Sequence, residues 1–215
     1  MKVLLGLFAA AVILLLPGTA SAYIISYTTS TPIGSTLTDW TETLAFQQFN
    51  LSWGTLNSVT IALSGSMGTT ITVKNNGTSP QDGTAKTELQ ITVQDSGNNL
   101  NNPVIDVFGP EFDFSPLGVS ETKVSGLLTK TYSSSDLYTA AAVLSAFTGS
   151  GNIVLNASTL TTTWLSFTGG NIDADQVTNA SLTGTVTYDY VPEPATLALL
   201  GIGALGLAAR RRRSR

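Results

Sequence analysis

Runs of alternating apolar and polar residues most strongly limit how this chain can fold. Side chains alternate in residues 59–63, 70–73, 86–93 and 182–188, and threonine or β-branched residues fill most positions. Successive side chains of a strand point to opposite faces of a sheet. The pattern therefore predicts strands that bury one face.

Turn-forming residues separate many of these runs. They include Asn-Asn-Gly at 75–77, Asp-Gly at 82–83 and Gly-Ser-Gly-Asn at 149–152. Many short strands joined by turns predict an all-β fold for residues 23–190, an antiparallel β-sandwich or jelly roll. Only residues 135–144 have helical character, where Ser135 or Asp136 could cap a short helix.

The composition excludes several kinds of site. The 215 residues include no cysteine and no histidine. Disulfides, thiolate or histidine metal sites, cysteine nucleophiles and Ser-His-Asp triads are therefore excluded. General acid–base catalysis would need a carboxylate or lysine with a strongly shifted pKa. We expect that the protein is not an enzyme.

The charges are separated along the chain. Residues 23–191 carry thirteen carboxylates and four lysines, a net charge of −9, whereas all five arginines lie in residues 210–215. Nucleic-acid phosphates are normally bound by clustered lysine and arginine. We therefore expect no nucleic-acid partner for the acidic part of the chain.

Residues 1–22 have the organisation of a secretory signal peptide. Lys2 precedes an apolar run at 3–16, and the segment ends in the small residues Ala20 and Ala22 around a serine. The run is shorter than the roughly 20 residues that cross a bilayer as a helix, which disfavours a retained anchor. The pattern predicts cleavage after Ala22 and a mature chain that begins at Tyr23.

The C-terminal residues have the organisation of a membrane stop signal. Residues 195–209 are uncharged and mostly aliphatic, and would form roughly 22 Å of helix at about 1.5 Å per residue. The arginine cluster 210–215 would stay cytoplasmic by the positive-inside rule. The sequence predicts a C-terminal transmembrane helix at 195–209, with residues 23–190 outside.

A proline–acid–proline triplet lies directly before this predicted helix. The triplet is Pro192, Glu193 and Pro194, and the cluster after the helix contains Arg210, Arg211, Arg212 and Arg213. In this order, residues 191–215 resemble the PEP-CTERM protein-sorting motif of Gram-negative bacteria. The resemblance implies processing by an exosortase. It also implies a transient stay in the inner membrane and a final place at the cell surface or outside the cell.

The exported domain has a second, shorter resemblance. Parts of this domain are similar to the choice-of-anchor E group of exported bacterial domains. The similar parts are Phe46 and Asn50, the Gly-Thr-Leu run and strand of 54–63, residues 147–151 and the closing run 185–190. The resemblance implies an exported fold with alternative C-terminal anchors. It implies no particular reaction.

One segment offers ligands for a cation. Asn171, Asp173 and Asp175 have the i, i+2, i+4 spacing that opens a calcium loop. The glycine and the closing glutamate of an EF-hand are replaced by Gln176 and Leu182, so a full EF-hand is excluded. A looser Ca²⁺ site, completed from elsewhere, and a solvated loop are the two alternatives. We expect no other cofactor.

Two short patterns could carry catalysis. Ser120 and Lys123 form S-x-x-K, but residues three apart on a strand face opposite sides. Glu111 and Asp113 would share one face of an extended segment, as a glycosidase carboxylate pair could. The alternative for this pair is an acidic loop beside core phenylalanines.

The large aromatic residues Trp40, Trp53, Trp164 and Tyr188 are either core residues or platforms for a sugar ring. Our first expectation is a non-enzymatic structural or adhesive protein of the extracellular polysaccharide or biofilm matrix. The alternatives are a carbohydrate-binding module, with or without Ca²⁺, and, more distantly, a glycoside hydrolase. An exposed row of aromatic residues would favour binding, and a cleft with paired carboxylates would favour hydrolysis.

Overall fold

The chain is built almost entirely from strands. The computed structural model describes residues 22–29, 31–101 and 104–193. Within them the chain forms eleven strands, one 3-10 turn and one short α-helix: β1 (Tyr23–Thr28), β2 (Ile33–Leu37), β3 (Thr41–Gln47), the 3-10 turn (Leu51–Trp53), β4 (Gly54–Asn75), β5 (Gly83–Asp95), β6 (Val104–Phe108), β7 (Phe112–Asp113), β8 (Thr122–Val124), β9 (Leu128–Tyr138), α1 (Ala141–Ala146), β10 (Asn152–Phe167) and β11 (Ile172–Pro192). The predicted all-β class is confirmed.

The strands form two antiparallel sheets whose inner faces enclose the core, as in a β-sandwich. The six-stranded sheet has the order β1-β11-β4-β8, with β2 also paired to β11 and β9 also paired to β4. The five-stranded sheet has the order β3-β10-β5-β6, with β7 also paired to β5. Every pairing between these strands is antiparallel.

Two long strands form the centre of the six-stranded sheet. β4 has 22 residues and β11 has 21, and they pair from Ile172 opposite Asn75 to Pro192 opposite Gly54. The runs 59–63 and 70–73 therefore belong to one strand, where the sequence pattern shows separate short ones. Gly65 lies between them because a Cβ there would collide with the Ser181 carbonyl oxygen and the Tyr132 ring. Here glycine permits close packing and marks no turn.

The core is divided into two apolar clusters by buried threonines. The larger cluster includes Leu44, Phe46, Ile91 and Tyr188, and the smaller one consists of Ile71, Val73, Ala85, Phe114 and Leu117 with partly buried neighbours. Between them the Thr69 hydroxyl lies 3.0 Å from that of Thr87 and 2.8 Å from that of Thr178. Hydroxyls from both sheets therefore satisfy each other inside the sandwich.

The helix differs from the sequence expectation. We expected Ser135 or Asp136 to cap it, but β9 continues to Tyr138, with Ser135 opposite Ala62 and Asp136 opposite Ile61 of β4. Helix α1 begins at Ala141 and has no side-chain cap. The predicted cap was wrong because pairing with the long strand β4 outweighs the weak helix preference of this serine-rich segment.

Candidate functional site

The two ends of the exported domain lie side by side. Tyr23, the predicted first residue of the mature chain, begins β1 opposite Tyr190 of β11, and the two rings are 6.2 Å apart. Ala22 is exposed directly before this strand. Ala20 and the rest of the predicted signal peptide lie outside the described residues. The predicted cleavage position therefore adjoins the last strand of the domain.

The predicted sorting signal begins inside the fold. Pro192 ends β11 opposite Gly54, and Glu193 borders a surface groove of about 670 Å³ beside Leu51 and Ser145. Pro194, the predicted helix 195–209 and the cluster Arg210, Arg211, Arg212 and Arg213 lie outside the described residues. In the part of the chain that the structure covers, helices are too short or too polar to cross a membrane.

Glycine at position 54 allows the end of β11 to lie close to the backbone of β4. Its φ of +140° lies in the region that glycine adopts readily. A Cβ at Gly54 would collide with the carbonyl oxygen of Val191 and lie 2.7 Å from the Cα of Pro192. The start of the sorting signal is thus packed against the backbone of β4.

The candidate calcium ligands lie at the start of β11. Asn171 precedes the strand, whereas Asp173 and Asp175 are exposed within it. Lys74 is the cross-strand partner of Asp173. Among residues 22–29, 31–101 and 104–193, no three Asp, Glu, His or Cys residues gather as a metal site would require. The two carboxylates belong to an extended strand rather than a loop, and calcium binding stays a prediction.

The two residues of the S-x-x-K pattern lie in different local structures. Ser120 lies in a turn with a φ of 59°, while Lys123 belongs to β8. The Lys123 Nζ donates hydrogen bonds to the carbonyl oxygens of Phe114, at 3.1 Å, and Pro116, at 2.6 Å. The ammonium group of Lys123 therefore stabilises the connection between β7 and β8.

Glu111 and Asp113 both lie on the exposed side of their segment, while Phe114 is fully buried. Asp113 pairs across the sheet with Thr84, and its carboxylate accepts a hydrogen bond from the Ser115 N–H at 2.9 Å. This bond, with a further one from the Ser115 side chain, lowers the pKa of Asp113. A glycosidase acid needs a raised pKa, so Asp113 lacks the electrostatic setting for that role.

The four candidate aromatic residues divide into three that pack inside and one that faces solvent. Trp40 and Tyr188 are buried in the larger core cluster, and Trp53 packs edge-on against Phe49 with ring centroids 5.7 Å apart. Trp164 is 52% exposed. It lies on the outer face of the five-stranded sheet, and it alone of the four is available as a platform.

The indole of Trp164 lies in a shallow groove of about 230 Å³, which we call the Trp164 groove. The groove is lined by Thr84, Lys86, Glu111, Trp164, Leu165 and Ser166. Strands β5 and β10 position them: Lys86 is the cross-strand partner of Trp164, and Thr84 is that of Ser166. Glu111 comes from the residues just before β7. The groove therefore combines segments that are distant in sequence.

Fixed charges orient the rings on this face. The Trp164 Nε1 donates a hydrogen bond to the Glu88 Oε2 at 2.6 Å, and the Lys86 Nζ lies 5.3 Å from the centroid of the Phe108 ring. A ring held by a charge-assisted bond loses little further freedom when a ligand stacks on it. Chemically, the groove offers one aromatic surface with an ammonium, a carboxylate and two hydroxyls around it.

The sequence alone did not single out this groove. Trp164 was one of four aromatic candidates, and residues 159–167 lack clean alternation, so nothing indicated which face its ring would take. Lys86 and Glu88 became its neighbours only through the register of β5 on β10. In the sequence, Glu111 stands out for a different reason, its i, i+2 spacing from Asp113.

Comparison with known proteins gives one family match. The model of the "PEP-CTERM protein-sorting motif" matches residues 191–213, and no curated protein matches. The choice-of-anchor E resemblance stays a prediction.

The solved structures that match this chain are remote from it. They include infectious bursal disease virus Gx strain, at 11% identity over 90% of this chain and 49% of that one, with a TM-score of 0.18. They also include a carbohydrate-binding module of Cellvibrio mixtus lichenase 5A in complex with cellotriose, at 8% identity over 74% and 95%, with a TM-score of 0.17. The chain spans about half the length of the viral chain. Likeness at these TM-scores carries no argument about fold or function.

The family match and the structure meet at the end of β11. The match begins at Val191, the residue before the strand ends at Pro192. The chain thus carries, at residues 191–213, the PEP-CTERM protein-sorting motif of exported proteins that an exosortase processes.

Proposed function

We propose that this protein is an exported, non-enzymatic component of the cell surface or extracellular matrix, and that it contacts polysaccharide through the Trp164 groove. In this proposal the segment 195–209 holds the chain in the inner membrane until an exosortase acts near Pro192–Pro194. The β-domain then remains outside the membrane.

The observation that carries the binding proposal is the setting of Trp164. Its half-exposed indole is held by Glu88 and surrounded by hydrogen-bonding groups. Sugar rings present C–H groups on one face and hydroxyls at the rim, so an aromatic surface with polar neighbours suits them. A single platform indicates a short contact with a chain and a modest affinity.

The groove gives less support to hydrolysis. Among the residues that line the groove, Glu111 is the one carboxylate. A second carboxylate would have to come from nearby, but Glu88 is already bonded to the Trp164 indole, and hydrogen bonds from Ser115 lower the pKa of Asp113. Retaining and inverting glycosidases both need one carboxyl group that donates a proton at working pH. Binding without cleavage is the function that this geometry favours.

The test is binding of the exported protein to exopolysaccharide from the cells that produce it. Trp164→Ala should weaken retention in affinity electrophoresis by about tenfold or more, equivalent to about 1.4 kcal/mol. The matched control is Leu160→Ala, because Leu160 is 58% exposed on the same strand face but does not line the groove. Equal binding by wild type and Trp164→Ala would refute the groove as the binding site.

A further inference from the structure

The second half of β10 is paired on one side only. β5 pairs with β10 from Leu155 to Phe167, whereas β3 pairs only from Asn152 to Ser158. Among the residues that the structure describes, no strand covers the other side of residues 160–167. The five-stranded sheet therefore has an open edge beside the Trp164 groove.

The hydrogen bonds around β10 show which backbone groups face this edge. The Gly151 carbonyl and the Thr159 N–H bond toward the β3 side, to Gln48 and Trp40, whereas the Thr168 N–H bonds toward β5, to Asp82. Backbone groups alternate sides along a strand. The N–H and C=O groups on the open side therefore belong to Thr161, Thr163, Leu165 and Phe167, which we call the open edge.

The open edge also leaves inward-facing side chains uncovered. Ile153, Leu155 and Ala157 are buried where β3 continues the sheet, but Thr161, Thr163 and Leu165 are only partly buried. Phe167 is 40% exposed. An added strand would gain backbone hydrogen bonds and would also cover part of this apolar surface.

The open edge lacks the devices that usually prevent edge pairing. Residues 159–170 contain no charged residue and no proline. The start of β11 is different. Residues 172–177 pair with β4, and among the described residues no strand pairs with their other side, since β2 and β1 pair with β11 only from Asn179 onward. Asp173 and Asp175 lie on this stretch, and the Asp175 Oδ1 accepts a hydrogen bond from the Gln176 N–H at 2.9 Å. Charges and occupied N–H groups protect an edge against added strands. One edge of this sandwich is protected and the other is not.

We propose that the open edge pairs with the open edge of a second copy of this protein, in antiparallel orientation about a twofold axis at Trp164. In this register Thr161 pairs with Phe167 of the other copy, and Thr163 pairs with Leu165 of the other copy. The twofold axis repeats each pair, which gives four pairs. All four open-edge residues then form hydrogen-bonded pairs, and the ladder contains about eight hydrogen bonds in total. The two five-stranded sheets become one continuous sheet.

Charge and location support a second copy as the occupant. The net charge of −9 opposes association of two copies over most of their surface. Residues 159–170 carry no charge, so two copies can pair along this strand without placing like charges in contact. Residues 159–170 carry no carboxylate with which a basic partner could form an ion pair. The sorting motif directs every copy to the same membrane, which raises the local concentration of identical edges.

The register makes a specific prediction about side chains on the outer face. Thr162 of one copy lies opposite Ser166 of the other, and the two Trp164 side chains form the central non-hydrogen-bonded pair, in which side chains approach most closely. Two Trp164 grooves would then lie next to each other. The inference goes beyond the proposed function, because pairing does not require a polysaccharide.

The first test is sedimentation velocity of the exported protein released from the cells that make it. We expect a dimer whose population rises with protein concentration, and we expect Thr163→Pro to make the protein monomeric. Proline removes an N–H that faces the open side and leaves the bonds to β5 in place. A wild type that stays monomeric at every concentration overturns the proposal.

A charge exchange tests the register even if the proline variant fails to fold. Thr162→Lys with Ser166→Lys places like charges opposite each other and should raise the dimer dissociation constant by at least about tenfold. Thr162→Lys with Ser166→Glu places opposite charges there and should restore the dimer. Both positions are exposed, so the fold tolerates either pair. A dimer that is unaffected by both pairs would lie elsewhere on the molecule, and the proposal would fail.

Discussion

At the scale of single residues, Asp95 shows how one carboxylate fixes a loop. It ends β5, and its carboxylate accepts hydrogen bonds from the Gly97 N–H at 3.0 Å and from the backbone and side chain of Asn99, both at 2.7 Å. Burial acts to raise the pKa of Asp95, but these hydrogen bonds outweigh it and lower the pKa. The ionised form is therefore favoured by folding.

Asp95→Asn should lower the free energy of unfolding by about 2 kcal/mol near neutral pH, because an amide replaces a charged acceptor. A depressed pKa stabilises the fold above the unfolded pKa, 3.8, and that stabilisation disappears as the pH falls through the lower folded pKa. Urea unfolding should therefore show the difference between wild type and variant shrinking below pH 3.8.

Asp106→Asn is the matched control for this experiment. It removes the same charge from an exposed position on the neighbouring strand β6, where the carboxylate accepts one hydrogen bond from Gln90. A difference between wild type and Asp95→Asn that stays constant down to the lowest pH would contradict the role of the charged form.

At the scale of elements, the threonines between the two core clusters connect the sheets. Thr69 of β4 and Thr178 of β11 belong to one sheet, and Thr87 of β5 belongs to the other. The Thr87 hydroxyl also donates a hydrogen bond to the Gln176 Oε1 at 2.7 Å. Removing Thr69 leaves the buried Thr178 hydroxyl without its side-chain partner, while the Thr87 hydroxyl keeps its bond to Gln176. Removing all three threonines leaves no buried threonine hydroxyl of this group without a partner.

Thr69→Val should lower the free energy of unfolding by about 1–2 kcal/mol. The triple change of Thr69, Thr87 and Thr178 to valine should cost less than the three single changes added together. Chemical denaturation measures both, and Thr60→Val, on the outer face of β4, controls for the strand preference of valine. Strict additivity would mean that the hydroxyls act independently.

At the scale of the whole molecule, both ends of the domain meet at one corner, where Tyr23 pairs with Tyr190. The sorting motif begins one residue later, at Val191. No linker separates the folded domain from the motif. We therefore expect the exosortase to act immediately beside the sandwich.

Intact mass and cell fractionation test this arrangement in a bacterium with and without its exosortase. We expect a mature chain that begins at Tyr23, ends near Pro192 or Pro194, and is found outside the cell only when the enzyme is present. The opposite result is a chain that still ends at Arg215 and stays in the inner membrane of both strains. That result would mean that the tail is a permanent anchor. The matrix proposal would then be wrong.

Sequence patterns predicted the class of this fold well and its connections poorly. The alternation in residues 86–93 correctly indicated which side chains of β5 face the core. The glycines and serines of 64–68 look like a break between strands, but β4 runs through them because β9 and β11 pair with it on both sides. Local preference cannot include such distant pairing.

Prediction of the candidate site from the sequence was limited in the same way, because it depends on strand pairing between distant segments. An aromatic residue such as Trp164 is visible in the sequence, but its usefulness depends on Glu88 and Lys86, which only the β5–β10 register brings close. The open edge of β10 was equally hidden, because it results from β3 ending its pairing at Ser158. By contrast, the sorting motif lies in one continuous segment and was readable directly.

The place of β11 in the middle of the six-stranded sheet also sets an order of events in time. A chain that leaves the membrane from its N terminus exposes β1 and β4 long before β11, the strand that must lie between them. The sheet can close only after residue 192 has emerged, and closure brings the first residues of the sorting motif against Gly54. For a chain exported in this direction, we therefore expect completion of folding and arrival of the processing signal to be nearly simultaneous.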